Sequence, residues 1–305
     1  MFFKRVFFPT CKLLLKIVLS RLPVSYPMWR RISLFRRGRM DEPKWAYDTF
    51  LRHAAYGDLL HHNASVCTFV ERKDSAEFEV LELGPGDSIF TAIIANRMGA
   101  SKSYLVDVAD AALSGYDDCR RMIRYLEDKG FCCDDLISLK DSKAIYDRIG
   151  LEYAIRGIES IKLMESNSID FIVSNSVLEH LPKREFEGYM EELYRVLRPG
   201  GKVVHHIDLK DHLGGGLYNL RFSEQVWERP LFSQSGFYTN RIRCNALIEL
   251  ITAVGFHLEK VSEFTWSELP ISRESLAAPF RYLSEEELKI RGVHIALTKN
   301  GEDCK

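Results

Sequence analysis

An acidic turn with two glycines follows the apolar run at residues 80–83. It reads Glu82-Leu83-Gly84-Pro85-Gly86-Asp87-Ser88. Glycines let a backbone turn tightly and approach a ligand closely, and the helix that we predict from about Ser88 would point its N–H groups at that ligand. Asp107 ends the next apolar run about twenty residues later, where a carboxylate suits two ribose hydroxyls. This spacing predicts a nucleoside-binding site.

The charge of the turn indicates which nucleoside it suits. A dinucleotide fingerprint, G-x-G-x-x-G, requires glycine where this chain has Ile89, which disfavours a dehydrogenase. A pyrophosphate also gains nothing from carboxylates as close as Glu82 and Asp87. The turn better fits a cationic nucleoside without phosphate, and S-adenosylmethionine, which carries a sulfonium and an ammonium, matches that description.

Strand-like and helix-like segments alternate from residue 78 onward, and they must position these residues. Strands are predicted at 80–84, 103–107, 151–155, 169–176, 202–208, 256–264 and 293–299, and helices at 88–98, 111–128, 183–197 and 242–254. The segment 198–201, Arg-Pro-Gly-Gly, is predicted to be a turn after the third helix. Such alternation predicts an α/β fold with right-handed crossovers and a mainly parallel sheet. Ligands of such sheets bind at the carboxyl ends of the strands.

Four motifs together resemble the class I S-adenosylmethionine-dependent methyltransferases. In chain order they are the E-x-G-P-G-x-S turn, Asp107, the run 169–181 with its Asn175-Ser176-Val177-Leu178-Glu179-His180, and Leu197-Arg198-Pro199-Gly200-Gly201. The resemblance covers roughly residues 78–300. It implies a Rossmann-like α/β fold with a seven-stranded, mostly parallel sheet and a terminal antiparallel β-hairpin, with S-adenosylmethionine as cofactor.

The resemblance also implies a set of cofactor-binding residues: Glu82, Gly84, Pro85, Gly86, Asp107, Glu159, Asn175 and Ser176. The glutamate and the glycines would shape the methionine side of the pocket, and Asp107 would bind the ribose. Asn175 and Ser176 would line the pocket near the methionine moiety. Many relatives have an acidic residue for the adenine amino group where this chain has Ile158. Glu159 beside it is one candidate, and backbone N–H groups with apolar contacts are the alternative.

The acceptor site is expected in the long segment 207–241, which follows the fifth strand. A hydroxyl acceptor usually needs a general base. His212 or His206 is the predicted base, with Asp208 or Asp211 orienting it, and His180 is the rival. A metal site built from His206, Asp208 and His212 is conceivable, but the ligand pattern of metal-dependent relatives is not evident and no metal is expected.

The same segment suggests what the acceptor is. Its rings are Tyr218, Phe222, Trp227, Phe237 and Tyr238. Aromatic rings beside polar side chains are common in sugar-binding pockets, while the alternative is a lid with its own small core. The stretches 34–41, 205–212 and 238–243 resemble those of bacterial methyltransferases associated with surface-polysaccharide genes. O-methylation of a sugar or glycan is therefore predicted; methylation of a lipid or other small molecule, and a non-catalytic cofactor-binding scaffold, stay open.

Residues 1–40 form a basic extension to the acidic domain predicted at 41–305. They hold ten of the 42 Lys and Arg residues and no Asp or Glu, so the rest carries 32 basic and 43 acidic groups, a net charge of -11. Lys12, Lys16 and Ser20 share one face of a predicted helix. This helical extension is predicted either to contact a membrane surface peripherally or to pack on the protein's own body.

Several classes are excluded or disfavoured by composition. No apolar run is long enough for a membrane-spanning helix, and Pro9, Lys12 and Lys16 interrupt what would be the core of a secretion signal. No nucleic-acid-binding motif accompanies the basic residues. The seven cysteines have no regular spacing, which favours reduced thiols and a cytoplasmic location at or near the inner membrane face. The oligomeric state is left open.

Overall fold

The computed structural model describes residues 38–63, 66–69, 77–112 and 115–300, together with Ile17. These residues form nine β-strands: β1 (Leu60–Asn63), β2 (Val66–Phe69), β3 (Phe78–Leu83), β4 (Ala100–Val106), β5 (Leu151–Ala154), β6 (Ile169–Asn175), β7 (Leu197–Asp208), β8 (His257–Thr265) and β9 (Ile290–Thr298).

The same residues form twelve α-helices, several of them a single turn: α1 (Pro43–Tyr56), α2 (Phe90–Arg97), α3 (Tyr116–Asp128), α4 (Asp134–Ile137), α5 (Ser142–Arg148), α6 (Ile158–Ile161), α7 (Phe186–Val196), α8 (Glu224–Trp227), α9 (Pro230–Ser233), α10 (Cys244–Ala253), α11 (Ala278–Arg281) and α12 (Glu285–Lys289). Short 3₁₀ turns occur at Leu178–His180, Lys183–Glu185, Tyr218–Arg221 and Arg273–Ser275.

Seven strands form one sheet in the order β5-β4-β3-β6-β7-β9-β8. The first five strands are mutually parallel, whereas β9 runs antiparallel to both β7 and β8. The predicted Rossmann-like α/β sheet with its terminal antiparallel hairpin is confirmed. The small antiparallel ribbon β1–β2 was not predicted.

Helices cover both faces of the sheet, which explains why the central strands are apolar on both sides. In β6, every residue from Ile169 to Ser174 is buried. One face packs against α1, α2 and α3 around Phe50, Phe90 and Phe171. The other face packs against α7 and α10, around residues such as Phe186 and Ile251.

Helix α1 was not predicted, and it places side chains that the candidate site uses. Ala46, Phe50 and Ala54 recur at four-residue spacing along it and are buried. The ring of Phe50 lies 6.0 Å from that of Phe171, so α1 packs onto the sheet. Arg52 and His53 are thereby carried to the end of β7, where they line a cavity.

Two local predictions were wrong. Helix α2 begins at Phe90 with Ile89 as its N-cap; the Ser88 hydroxyl instead donates to the Met40 carbonyl (2.5 Å) and accepts from the Phe90 amide (3.2 Å). The residues of the predicted turn at 198–201 lie inside β7, because the strand begins at Leu197 directly after α7. The pairing of β6 with β7 shifts its register at these residues.

The basic extension falls almost wholly outside the described residues, so its contact with a membrane stays a prediction. Ile17 is helical and packs against a cluster that includes Trp227. In the part of the chain that the structure describes, no helix has both the length and the apolarity needed to cross a bilayer.

Arg243 ties the long segment after β7 to the hairpin side of the sheet. Its buried guanidinium donates to the carbonyls of Leu209 (2.8 Å) and Glu287 (2.9 Å), and also to those of Leu288 (3.3 Å) and Ile290. Burial lowers the pKa of Arg243 to about 10, which still leaves it charged near neutral pH.

Replacing Arg243 with Leu should lower the free energy of unfolding by about 3 kcal/mol, since four buried carbonyls lose their donor. Urea denaturation followed by circular dichroism measures this. Arg184→Leu is the control, because that side chain is 85% exposed, and it should change stability by less than about 0.5 kcal/mol. Equal losses in the two variants would contradict the assigned role.

Candidate active site

The glycine turn after β3 has the backbone geometry that the sequence predicts. Gly84 and Gly86 adopt φ angles of 63° and 69°, in the left-handed region that favours glycine. The Gly84 amide donates to the Val106 carbonyl (2.8 Å). A Cβ atom at Gly84 would lie 2.5 Å from Cγ2 of Val177. The turn therefore lies close against the loop that follows β6, and Pro85 is buried between the two glycines.

Glu82 offers this turn a buried carboxylate. It is 4% exposed, and its Oε2 has no hydrogen-bond partner among the described residues. Burial raises the pKa of Glu82 to about 8, assisted by the charge of Asp107 and opposed by a hydrogen bond with Thr91. A cationic group nearby would favour its charged form, which is the property expected of a site for a sulfonium or an ammonium.

Asp107 lies at the carboxyl end of β4, on the same edge of the sheet. Its Oδ1 accepts from the amides of Val108 (2.6 Å) and Ala109 (3.3 Å). Its own carbonyl accepts from the Gly157 amide (2.9 Å). The side chain is therefore held by its own loop at the position predicted for ribose.

The residues after β6 connect the cofactor side to the next strand. Asn175 pairs with His206 of β7 in the sheet register. Ser176 has a φ of 58°, an uncommon conformation for a residue with a side chain. Its amide donates to the His206 carbonyl (2.7 Å), and its hydroxyl lies 3.4 Å from Nδ1 of His206. Held strain of this kind occurs often at functional sites.

The adenine side differs from the usual pattern, as the sequence indicates. Glu159, on α6, is about half exposed and forms an ion pair with Lys162 (2.8 Å), which lowers its pKa. The Ile158 amide donates to the Tyr189 hydroxyl (3.1 Å). The Glu159 carboxylate and the Ile158 amide thus both have protein partners. The role of Glu159 stays a prediction.

A cavity of about 240 Å³ opens at the carboxyl end of β7. It is lined by Arg52 and His53 of α1, His206 and Asp208 of β7, Lys210, Phe264 of β8, and Arg291, Gly292 and His294 of β9. Of the histidines predicted as bases, only His206 is among the lining residues. Arg52, His53, Arg291 and His294 were missed by sequence reasoning; a polar residue inside the apolar run of β9 was the available signal for His294.

The histidines around β7 are neutral near pH 7 because burial disfavours their charged forms. Burial lowers the pKa of His206, against the raising effect of Asp208, with further lowering by Arg52 and Lys210. The pKa of His294 falls to about 4 and that of His53 lies well below its ordinary value. Cavity charge therefore comes from the cations of Arg52, Lys210 and Arg291 and the carboxylate of Asp208.

The two aspartates expected to orient a histidine have other partners. Asp208 accepts from the Lys210 amide (2.9 Å) and pairs with its ammonium (3.1 Å). Asp211 is buried, and its carboxylate accepts from the backbone amides of Leu213, Gly214, Gly215 and Tyr218 at 2.6–3.1 Å. Asp211 therefore anchors the start of the segment 207–241 and does not orient a base.

The aromatic rings of that segment stack on one another. Trp227 packs against Phe222 and Phe232, with ring centroids 5.6 and 5.4 Å apart. Phe237 and Tyr238 complete the cluster, and the indole N–H of Trp227 donates to the Thr239 carbonyl (2.8 Å). These contacts correspond to the second alternative from the sequence, a segment with its own small core. The rings bury more apolar surface against one another than they would in the wall of a water-filled pocket.

The other two candidate bases lie side by side. The rings of His180 and His212 are 4.7 Å apart, edge to face, and Nδ1 of His180 lies 3.0 Å from the Tyr238 carbonyl. The metal site considered from the sequence combined His212 with His206 and Asp208. The structure instead places His212 beside His180 and Glu179.

With this geometry established, the comparisons assign an enzyme class. A family model described as a methyltransferase domain matches residues 47–261, more than half of the chain. The chain belongs to this methyltransferase family. The predicted class of enzyme is therefore confirmed, and the family assignment implies S-adenosylmethionine as the cofactor. No protein of curated function matches the sequence.

Three solved structures with a similar fold have low sequence identity to this chain. An S-adenosylmethionine dependent methyltransferase from Mesorhizobium loti is 15% identical (73% of this chain, 91% of the other, TM-score 0.41). Phosphoethanolamine N-methyltransferase 2 of Haemonchus contortus, in complex with S-adenosyl-L-methionine, is 15% identical (83% and 53%, TM-score 0.44). A SAM-dependent methyltransferase from Methanosarcina mazei is 16% identical (74% and 94%, TM-score 0.42). The family match, and not these likenesses, assigns the class.

The residues of the turn fit the cofactor that the family implies. The buried carboxylate of Glu82, with an oxygen that lacks a hydrogen bond, suits a cationic ligand. The left-handed glycines let the turn lie against the loop after β6, where a side chain at Gly84 would collide with Val177. Glu82, Gly84 and Gly86 would hold the methionine moiety, and Asp107 the ribose.

The buried histidines predict how stability changes with pH. Burial lowers the pKa of His205 to about 3, below its ordinary value of 6.5, so between these values the unfolded chain binds more protons. Stability should therefore fall as pH decreases from about 6.5, by up to about 1.4 kcal/mol per pH unit for this residue. In urea denaturation between pH 4.5 and 7, His205→Asn should reduce the slope by about that amount.

The exposed His257 supplies the control for this measurement. His257→Asn should leave the slope unchanged, because this substitution is at an exposed position and leaves the buried histidines in place. An unaltered slope in His205→Asn would contradict the neutral, buried state of His205.

Proposed function

We propose that this methyltransferase uses S-adenosylmethionine to methylate a hydroxyl of a small polar acceptor, and that the acceptor is a sugar or glycan carrying an acidic group. The contact between Ser176 and His206 carries the proposal. Val177, the residue after Ser176, lies against Gly84 of the predicted cofactor turn, and His206 lines the cavity at the end of β7. Acceptor and methyl donor must meet in line with water excluded, and we expect them to meet between these two residues.

His206 is the residue best suited to take the acceptor's proton. It is half-buried in the cavity wall, and burial lowers its pKa, so it is neutral and able to accept a proton at neutral pH. When bound, S-adenosylmethionine supplies a methyl group on a positively charged sulfur. His206 would accept the proton that the acceptor hydroxyl loses when its oxygen takes the methyl group and the carbon–sulfur bond breaks.

The charges of the cavity favour an anionic, polar acceptor. Its lining has three cationic side chains, Arg52, Lys210 and Arg291, and one carboxylate, Asp208. Lys210 already forms an ion pair with this carboxylate. Arg52 is exposed and has no hydrogen bond or ion pair among the described residues. An apolar quinone-like acceptor fits this lining poorly. The resemblance to methyltransferases of surface-polysaccharide genes supports a sugar, and a lipid headgroup with a phosphate is the second candidate on the same charges.

Cofactor binding is tested by calorimetric titration of the full-length protein with S-adenosylmethionine. Asp107→Ala should weaken binding at least tenfold, because the ribose loses charge-assisted hydrogen bonds. Asp110→Ala is the matched control, an exposed carboxylate three residues away, and should bind like the unaltered protein. A folded protein that binds no S-adenosylmethionine would require withdrawal of the proposed cofactor.

Acceptor class is tested by transfer of labelled methyl groups to uronic acids, sugar phosphates, neutral sugars and phosphoethanolamine. We expect the acidic sugars to be methylated, with Arg52→Gln raising KM tenfold or more through loss of a charge-assisted contact. The affinity for S-adenosylmethionine should not change. His206→Asn should lower kcat at least a hundredfold.

Arg124→Gln is the control, since Arg124 is exposed on α3 and is not among the residues that line the cavity. Preference for neutral sugars, or equal KM values for the Arg52 and Arg124 variants, would count against an anionic acceptor. Cofactor binding without methylation of any of the acceptors would favour the non-catalytic scaffold.

A further inference from the structure

A second cluster of chemically active side chains lies outside the cavity and the cofactor turn. Glu179 and His180 belong to the 3₁₀ turn after β6, and His212 belongs to the segment that follows β7. One potential ligand atom of each residue lies within 4.8 Å of those of the other two. Atoms bound to one tetrahedral zinc ion lie about 3.4 Å apart, because each is about 2.1 Å from the metal, so small side-chain rotations would bring these three atoms onto one ion.

The carboxylate of Glu179 is buried in a position that suits a cation. Glu179 is 2% exposed, and neither carboxylate oxygen makes a hydrogen bond among the described residues. The amides of Glu179 and Asp208 are close enough to offset only part of its burial. Buried charges are normally paired or bound to a metal, and no ion pair to Glu179 occurs in the described ranges.

His180 is oriented as metal-binding histidines are. Its Nδ1 lies 3.0 Å from the Tyr238 carbonyl. A carbonyl only accepts hydrogen bonds, so Nδ1 carries the proton and Nε2 carries the lone pair. Histidines that bind metals commonly donate their other N–H to a carbonyl in this way. His212 lies edge to face against this ring.

We propose that Glu179, His180 and His212 form a binding site for a divalent transition-metal ion such as Zn²⁺. Two imidazoles and one carboxylate are a ligand set that suits zinc, with one coordination position left open for water or another oxygen. Magnesium and calcium prefer sites made of oxygen atoms alone, so the histidines select against them. The bound ion would link the turn after β6 to the long segment after β7.

The proposal is tested with full-length protein that has been treated with a chelator and then dialysed. Titration with ZnCl₂ by calorimetry should give one ion per chain. His212→Ala and Glu179→Gln should each weaken binding at least tenfold. Glu179→Gln keeps the size of the side chain, and His257→Ala, which removes an exposed histidine elsewhere, should bind as the unaltered protein does.

A spectroscopic measurement on the same proteins gives a second readout. Co²⁺ in a site with two histidines and a carboxylate should give visible absorption bands that disappear in His212→Ala, while circular dichroism shows that the variant is folded. Absence of stoichiometric Zn²⁺ binding would overturn the proposal, and so would unchanged affinity in both site variants. Metal binding does not depend on the methyl donor, so titrating the same samples with S-adenosylmethionine separates failure of this site from failure of the proposed function.

Discussion

The parallel pairing of β6 with β7 is the constraint on which the site depends. Its register sets Asn175 opposite His206, and the hydrogen bond from the Ser176 amide to the His206 carbonyl extends that pairing past the end of β6. Because side chains alternate along a strand, His206 faces α1 and the cavity while His205 faces the opposite side and contacts Ser174 (2.7 Å). One register thus decides which of the two adjacent histidines lines the cavity.

Burial controls the charge of the groups around this junction, and it acts in opposite directions on acids and bases. It lowers the pKa values of His205, His206 and His294, so these rings stay neutral. It raises the pKa of Glu82 to about 8 and that of Glu179 well above its ordinary value. A neutral imidazole can accept a proton, and a carboxylate raised in this way gains from a cationic ligand. Both effects come from the cost of placing charge away from water.

The long segment after β7 supports the site, and its aromatic residues do not line the cavity. Asp211 fixes the first turn of the segment through four backbone amides. Trp227 gathers the rings into a core of their own. Arg243, two residues beyond its far end, donates to the Leu209 carbonyl of the segment and to the Glu287 carbonyl before β9. A carboxylate and a guanidinium of this part of the chain are thus used for anchoring, and the charged groups of the cavity are those at the end of β7.

The sequence alone was sufficient for the α/β fold, its seven strands and the glycine turn, because these depend on local periodicity and on backbone conformations that glycine favours. It also identified the methyltransferase class through motifs that are contiguous in the chain. The cavity could not be predicted from the sequence: Arg52 and Arg291 stand 239 positions apart, and only the packing of α1 and β9 beside β7 brings them together. Tertiary packing also brings His212 near Glu179 and stacks the rings around Trp227. Residue type and spacing determine local structure and show which residues follow the ends of parallel strands. Tertiary packing decides which distant side chains become neighbours and which lose their charge through burial.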